Sequence, residues 1–144
     1  MLRGSLVLIL AFTIVNCTVT DIDLTPGDVG PEPEYLNSGS SLSEGVRYGE
    51  LLFISGKLDT RPERGIEPET RTALTKIKDA LEEFGSSMDR VLKCTVFLAD
   101  MDEWGAMNEV YKEFFPENKP ARAAVGVNGL AAQARVEIEC VAAA

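Results

Sequence analysis

The sequence predicts an α+β domain in which two helices pack on one face of a mixed β-sheet. Strand-like apolar runs lie at both ends of the domain, two segments carry apolar residues at helical spacing, and another strand-like run separates them. An order of strands, helix, strand, helix and strands favours one layer of helices on one sheet. A chain of 144 residues is long enough for one such domain.

The first half of the domain is expected to open near Glu34 and to contain a hairpin followed by a helix. The runs 46–48 and 51–55 are strand-like, and Gly49-Glu50 between them suits a tight turn. Residues 57–66 are polar and rich in turn formers, which predicts a loop. From Pro68 the apolar residues recur with a period of 3.6, which predicts a helix, and Gly85 suits its C-terminal cap. The predicted core stripe of this helix is Ala73, Leu74, Ile77, Ala80, Leu81 and Phe84.

The second half is predicted to be strand, helix and two strands. Residues 90–98 are apolar and β-branched, and Asp100 with Glu103 has the spacing of a capping box. Pro116 and Pro120 end the helix, and residues 121–127 and 135–141 form the last strands. The second helix stripe is Trp104, Met107, Val110, Tyr111 and Phe114. In the last strand, Arg135, Glu137 and Glu139 alternate with Val136, Ile138 and Cys140.

Composition excludes several classes of chemistry. The chain contains no histidine, which removes Ser-His-Asp and Cys-His nucleophiles and His-ligated zinc. A net charge of −9 without any basic block argues against nucleic-acid binding. Cys17, Cys94 and Cys140 lack CxxC spacing, so we do not expect a metal site built from thiolates. Cys94 and Cys140 lie on predicted strands. A disulfide between them needs an oxidising compartment and Cα atoms within about 7 Å, and we expect buried, unpaired thiols instead.

The N-terminus has the pattern of a secretion signal. Arg3 precedes the ten-residue apolar run 6–15, which is too short to span a membrane. Residues 1–20 are therefore predicted to be a signal peptide that exports the protein, and residues 21–33 a flexible linker to a domain of residues 34–144. The alternative is that the run is a core element. Cys17 is a candidate lipidation site, although Asn16 precedes it where a small residue is expected.

Six segments, taken in order, resemble proteins of the RidA/YjgF family. They cover about residues 35–143: 45–56 (GVRYGELLFISG), 69–74 (ETRTAL), 91–102 (VLKCTVFLADMD), 107–115 (MNEVYKEFF), 120–122 (PAR) and 136–139 (VEIE). The resemblance implies a chorismate-mutase-like α+β fold, a homotrimer and active sites in clefts between subunits. It also implies cofactor-free hydrolysis of 2-imino acids to 2-keto acids and ammonia.

The resemblance assigns roles to individual residues. Arg122 matches the arginine that binds the substrate carboxylate, a task that suits a bidentate guanidinium. Glu137 matches the glutamate near the imine carbon and its attacking water, where a carboxylate can act as general base. The two are expected to meet in one crevice. Without the resemblance, Arg122 is a surface arginine and Glu137 lies on the solvent face of a strand.

Further residues match family positions around the cleft. Asn108 corresponds to a polar position on the second helix, Ser55 and Gly56 to a strand end, and Ala124 to a backbone position that helps to bind water. Each of these two has an alternative without a function: Asn108 can be an ordinary residue on the helix surface, and Ser55 an ordinary residue at a strand end. Leu42 stands where relatives carry a tyrosine, so that contact is absent or comes from another residue such as Tyr35 or Tyr48.

Three functions follow from these observations. The first is hydrolytic deamination of 2-imino acids. The second is a trimeric small-ligand-binding protein without turnover, which Leu42 favours. The third is an RNA-directed role attributed to some relatives, against which the negative charge argues.

Overall fold

The chain forms one six-stranded sheet with two α-helices. The computed structural model describes residues 30–61 and 65–144. Within them the elements are β1 Glu34–Ser38, β2 Ser43–Tyr48, β3 Leu51–Leu58, α1 Ile66–Glu83, β4 Val91–Leu98, α2 Trp104–Phe114, β5 Ala121–Gly126 and β6 Val136–Ala143. The strand order is β1-β2-β3-β6-β4-β5. Only β4 and β5 run parallel among these pairs, so the predicted mixed sheet is confirmed.

Glycines define the predicted hairpin and the end of α1. Tyr48 pairs with Leu51 across Gly49-Glu50, and Gly49 has a φ of 58°, which a hairpin turn of this type requires. Gly85 has a φ of 81°, and the N–H of the following Ser86 donates to the Leu81 carbonyl at 2.7 Å. This left-handed cap satisfies backbone groups at the helix end. Both turn predictions are confirmed.

Two local predictions are wrong. The loop expected from residue 57 starts later, because Lys57 pairs with Ile138 and prolongs β3 to Leu58. The capping box before α2 does not form: the Asp100 side chain accepts from the N–H of Asp102 at 2.9 Å, within a short 3₁₀ turn. Glu103 instead binds the guanidinium of Arg135. A tertiary ion pair thus competes with the local cap.

The core lies between the helices and one face of the sheet. The α1 stripe is buried as predicted. Met107 and Tyr111 of α2 are buried too, as is Phe115 just after it, whereas Trp104 of the predicted α2 stripe is 41% exposed. Burying each large apolar side chain stabilises the fold by about 1.5–3 kcal/mol. The prediction of two helices on one face is confirmed. Among residues 30–61 and 65–144, no helix is both long and apolar enough to cross a bilayer.

The other face of the sheet carries no helix among the described residues. Strand register places Tyr35, Val46, Phe53, Val141 and Lys93 in one row across this surface, which we call the uncovered face. Tyr35 is 64% exposed and Phe53 42%. Contiguous exposed apolar residues of this kind are typical of a protein–protein contact.

Cys94 and Cys140 form a disulfide, so the prediction of unpaired thiols is wrong. The two residues lie directly opposite each other on antiparallel β4 and β6, with their Cα atoms 4.1 Å apart. Both are buried in the core beneath the helices. Strand register, which spacing along the chain does not reveal, brings the two sulfurs together.

Candidate functional site

Arg122 lies on the helix side of the sheet. It pairs with Cys94 in β4, and cross-strand partners share a face. Its Nη2 donates to Oδ1 of Asn108 on α2 at 2.8 Å. In the described part of the chain, Arg122 forms no ion pair with a carboxylate. The guanidinium is therefore oriented by a neutral group and keeps its positive charge available.

Two aromatic side chains of α2 complete the surroundings of Arg122. The guanidinium carbon lies 4.4 Å from the ring centroid of Tyr111 and 5.9 Å from that of Trp104, within cation–π range. Burial raises the pKa of Tyr111 to about 12, while Arg122 lowers it by a smaller amount. The phenol is therefore neutral at physiological pH and does not cancel the charge of the guanidinium.

Sequence reasoning missed Tyr111 and Trp104 as site residues, because their helical spacing assigned them to the core stripe. Their spacing could have indicated the site. Trp104, Asn108 and Tyr111 are separated by four and three residues, so all three lie on one face of α2. Beside them lies a cavity of 390 Å³, which Asn108 and Arg122 also line. This volume is within the range of about 300–1,000 Å³ typical of small-molecule sites.

Glu137 lies against Gly56, away from the helices. Its neighbours in β6, Val136 and Ile138, are fully buried, so alternation turns Glu137 to the uncovered face. A Cβ added to Gly56 would lie 2.0 Å from Oε1 of Glu137. Gly56 occupies a bulge in β3, and any side chain there would displace the carboxylate from its present position. The Glu137 side chain has no hydrogen bond or ion pair within residues 30–61 and 65–144.

Within one chain, therefore, Arg122 and Glu137 do not meet. Arg122 contacts α2 on the helix side, whereas Glu137 projects from the uncovered face. Arg135 was expected to share the face of Glu137. Its guanidinium binds Glu103 and not Glu137. The sheet separates two pairs of candidate residues: Arg122 with Asn108, and Glu137 with Gly56. A single crevice containing all four residues requires a second copy of the chain.

The remaining predicted residues divide between the two sides. Ala124 follows Arg122 by two residues on β5, so it shares the helix side, and it packs against the core. The Ser55 hydroxyl donates to the Ser43 carbonyl at 2.6 Å and thus braces β2 against β3 next to Gly56. Ser55 is not a strand-end residue, because β3 continues to Leu58; the oxygen lone pairs of its hydroxyl are left for other contacts.

No tyrosine takes the place of Leu42 within one chain. Leu42 is 64% exposed and precedes Ser43, at the end of the sheet that carries Ser55. Tyr48 is at the opposite end of β2, next to the hairpin turn, and Tyr35 pairs with Val46 between the two ends. Within one chain, therefore, neither Tyr35 nor Tyr48 supplies the contact that the resemblance assigns to position 42.

Two curated relatives resemble the chain over most of their length. A RutC family protein from Pyrococcus horikoshii is 42% identical over 106 residues, covering 69% of this chain and 84% of the relative. A protein from Capra hircus named 2-iminobutanoate/2-iminopropanoate deaminase is 39% identical over 106 residues, covering 69% and 77%. Names of this kind support imine deamination as a function of the family.

The prediction of an exported protein with a signal peptide is wrong. Protein mmf2 of Schizosaccharomyces pombe, 34% identical over 115 residues (75% of this chain, 91% of the relative), is named mitochondrial. Reactive Intermediate Deaminase A of Arabidopsis thaliana, 31% identical over 134 residues (89% and 66%), is named chloroplastic. An apolar run behind a single arginine does not by itself specify a destination. Residues 1–29, which include Cys17, lie outside the described residues, and lipidation of Cys17 depended on export.

The fold and the family model agree. A structure of a YjgF family member from Neisseria meningitidis superposes with a TM-score of 0.69 at 32% identity, covering 78% of this chain and 94% of that one. The family model named Endoribonuclease L-PSP matches residues 34–144. The six ordered motifs, the sheet and the relatives all agree. The chain therefore belongs to the RidA/YjgF family.

Proposed function

We propose that the protein hydrolyses 2-imino acids to 2-keto acids and ammonia, in sites formed between copies of the chain. The observation that carries the proposal is the Arg122 guanidinium, which is planar, held by Asn108 and stacked on Tyr111, without a carboxylate partner among the described residues. A substrate that is itself a small carboxylate supplies the missing anion in bidentate geometry.

The reaction needs only groups that the chain has. Water adds through its oxygen to the imine carbon, and its protons pass to the nitrogen as the C–N bond breaks, giving ketone and ammonia. Glu137 fits the role of the base that takes a proton from the water and returns it to the leaving nitrogen. The negative carboxylate also favours a protonated, more electrophilic imine.

A second copy has to supply the other half of each site. The uncovered face, with Phe53 42% exposed, is an apolar surface that another copy can bury, and Glu137 lies on the same face. Closed rings of identical subunits with a head-to-tail contact bring different surfaces together. We propose three copies, each pairing its Arg122 with the Glu137 of a neighbour.

The test follows the loss of imine. An amino-acid oxidase generates 2-iminopropanoate from alanine, and its decay is monitored with and without the protein. We expect the protein to accelerate decay, and Arg122→Ala and Glu137→Gln each to reduce kcat/KM by at least about 100-fold. Arg71→Ala is the matched control, since Arg71 pairs with Glu113 on the surface. Equal rates for all variants and buffer would refute deamination.

Mixing the two inactive variants tests the shared site. If Arg122 and Glu137 come from different copies, subunit exchange between Arg122→Ala and Glu137→Gln chains restores about one quarter of the sites. No recovery after proven exchange would place both groups in one chain. Phe53→Asp, on the uncovered face, is expected to abolish assembly in light scattering and activity together.

Leu42 favours a second candidate function, binding without turnover. With no tyrosine hydroxyl at this position, the site has one hydrogen-bond donor fewer for the substrate. This candidate predicts that pyruvate binds in calorimetry, that Arg122→Ala abolishes binding, and that imine decay is not accelerated.

A further inference from the structure

The cavity beside Arg122 has its own chemical character. It lies where α2 ends and β5 begins, next to the candidate pair formed by Arg122 and Asn108. Tyr111 and Phe115 form an apolar wall; both are largely buried, with ring centroids 4.7 Å apart. Beyond Asn108 and Arg122, the lining is Tyr111, Lys112, Phe115, Lys119 and Pro120.

The charge of the cavity is opposite to that of the protein. The chain carries a net −9, yet three cations and no carboxylate line this space. Lys112 is neutralised by Glu109 at 2.7 Å. Lys119 has no carboxylate partner in the described part of the chain; its Nζ donates to the Pro116 carbonyl at 3.1 Å. Arg122 and Lys119 are thus two separate, unneutralised cations on one cavity.

Two cations and an apolar wall on one cavity match a ligand that has two anionic ends joined by a short hydrocarbon. The guanidinium of Arg122 suits the carboxylate next to the imine, because it is fixed and planar. The ammonium of Lys119 sits on a flexible stem and can follow a second carboxylate of variable reach. A wholly apolar substrate side chain would use Phe115 but would leave Lys119 without a role.

We propose that the cavity selects dicarboxylic 2-imino acids, with Lys119 binding the distal carboxylate. The reaction class rests on the proposed function; the binding preference does not. The product would be a dicarboxylic 2-keto acid together with ammonia. Lys119 is accordingly a specificity-determining residue and takes no part in the chemical step.

The kinetic test compares 2-iminosuccinate, generated from aspartate by an oxidase, with 2-iminopropanoate. We expect the ratio of the two kcat/KM values to favour the dicarboxylic substrate and to fall about tenfold in Lys119→Gln, the loss expected for one charge-assisted hydrogen bond. Lys119→Arg should retain most of the preference. Lys78→Gln, which removes a surface lysine of α1, is the charge-matched control and should leave the ratio as it is.

A binding test separates this inference from the proposed function. Calorimetry with oxaloacetate and pyruvate needs no turnover. Tighter binding of oxaloacetate that weakens about tenfold in Lys119→Gln supports the inference even if no imine is hydrolysed. Turnover of 2-iminopropanoate with no dicarboxylate preference would refute the inference and leave deamination standing. A preference for 2-imino-3-phenylpropanoate that Lys119→Gln does not alter would also refute it.

Discussion

Asn108 Oδ1 accepts a 2.8 Å hydrogen bond from Nη2 of Arg122, and this contact joins α2 to β5 at the candidate site. A neutral acceptor orients the guanidinium without neutralising it. The choice of amide over carboxylate at position 108 therefore decides whether Arg122 is available to a substrate anion.

Replacing Asn108 by aspartate should create an internal ion pair. The variant is nearly isosteric, but its charge competes with the substrate carboxylate for Arg122. We expect KM to rise at least about tenfold, with a smaller change in kcat, and Asn108→Ala to fall between wild type and Asn108→Asp. Steady-state kinetics and pyruvate calorimetry measure this. Wild-type affinity in Asn108→Asp would show that Arg122 does not bind the carboxylate.

Gly56→Ala should impair activity more than stability. The new Cβ would lie 2.0 Å from Oε1 of Glu137, so the carboxylate must move, yet it is the far end of a flexible side chain. We expect kcat to fall at least about tenfold and the melting temperature to change little. Gly105→Ala is the control: nothing lies within 4 Å of its Cβ, and alanine is the better helix former, so neither activity nor stability should fall. Full activity in Gly56→Ala would remove Glu137 from the mechanism.

Tyr111→Phe should leave the fold intact or make it more stable. The buried Tyr111 hydroxyl has no hydrogen-bond partner among the described residues, and burying an unsatisfied hydroxyl costs about 1–3 kcal/mol. Phenylalanine keeps the ring that stacks on Arg122, so pyruvate affinity should persist, whereas Tyr111→Leu should weaken it. Urea titrations give the stability. A loss of stability in Tyr111→Phe would reveal a partner for the hydroxyl in the assembled protein.

Reduction should destabilise the protein through the Cys94–Cys140 disulfide. The bond closes a loop with a sequence separation of 46, for which chain entropy predicts about 4 kcal/mol. Urea unfolding with and without a phosphine reductant, in a Cys17→Ser background, measures the difference. In that background, thiol titration of the oxidised, unfolded chain should detect no free thiol. Two reactive thiols and superimposable unfolding curves would show that the pair is reduced.

Asp59 should contribute to acid sensitivity. Its buried carboxylate forms a bidentate pair with Arg61 at 2.8 and 2.9 Å, and these bonds hold the pKa of Asp59 well below its ordinary value of 3.8. Because the pKa of Asp59 is lower in the folded than in the unfolded chain, its charge stabilises the folded protein above about pH 4. This stabilisation is lost as the pH falls from about 4 towards the lowered pKa.

Asp59→Asn should therefore be less stable than wild type at pH 7, with the difference shrinking as the pH falls below 4. Melting temperatures between pH 7 and pH 2.5 test this. Asp89→Asn, at an exposed aspartate, is the control and should track wild type throughout. A constant difference between Asp59→Asn and wild type down to pH 2.5 would contradict the role of the charge.

Local patterns were sufficient for most of the fold. The 3.6-residue period of α1, the alternation of Val136, Glu137 and Ile138, and the glycines at 49 and 85 each depend on near neighbours in the chain. The capping box was wrong because Glu103 has a distant partner, Arg135, that no local pattern contains.

The sequence alone determined the buried stripe of α1, the hairpin, the alternation that separates Glu137 from its buried neighbours and, through ordered motifs, the family. Only the tertiary structure decided the strand order, the pairing of Cys94 with Cys140, and the placement of Arg122 and Glu137 on opposite sides of the sheet. The physical reason is register. Which residue of β4 lies beside Cys140 or Arg122 depends on hydrogen bonds between strands far apart in the chain, and a shift of one residue would reverse every face.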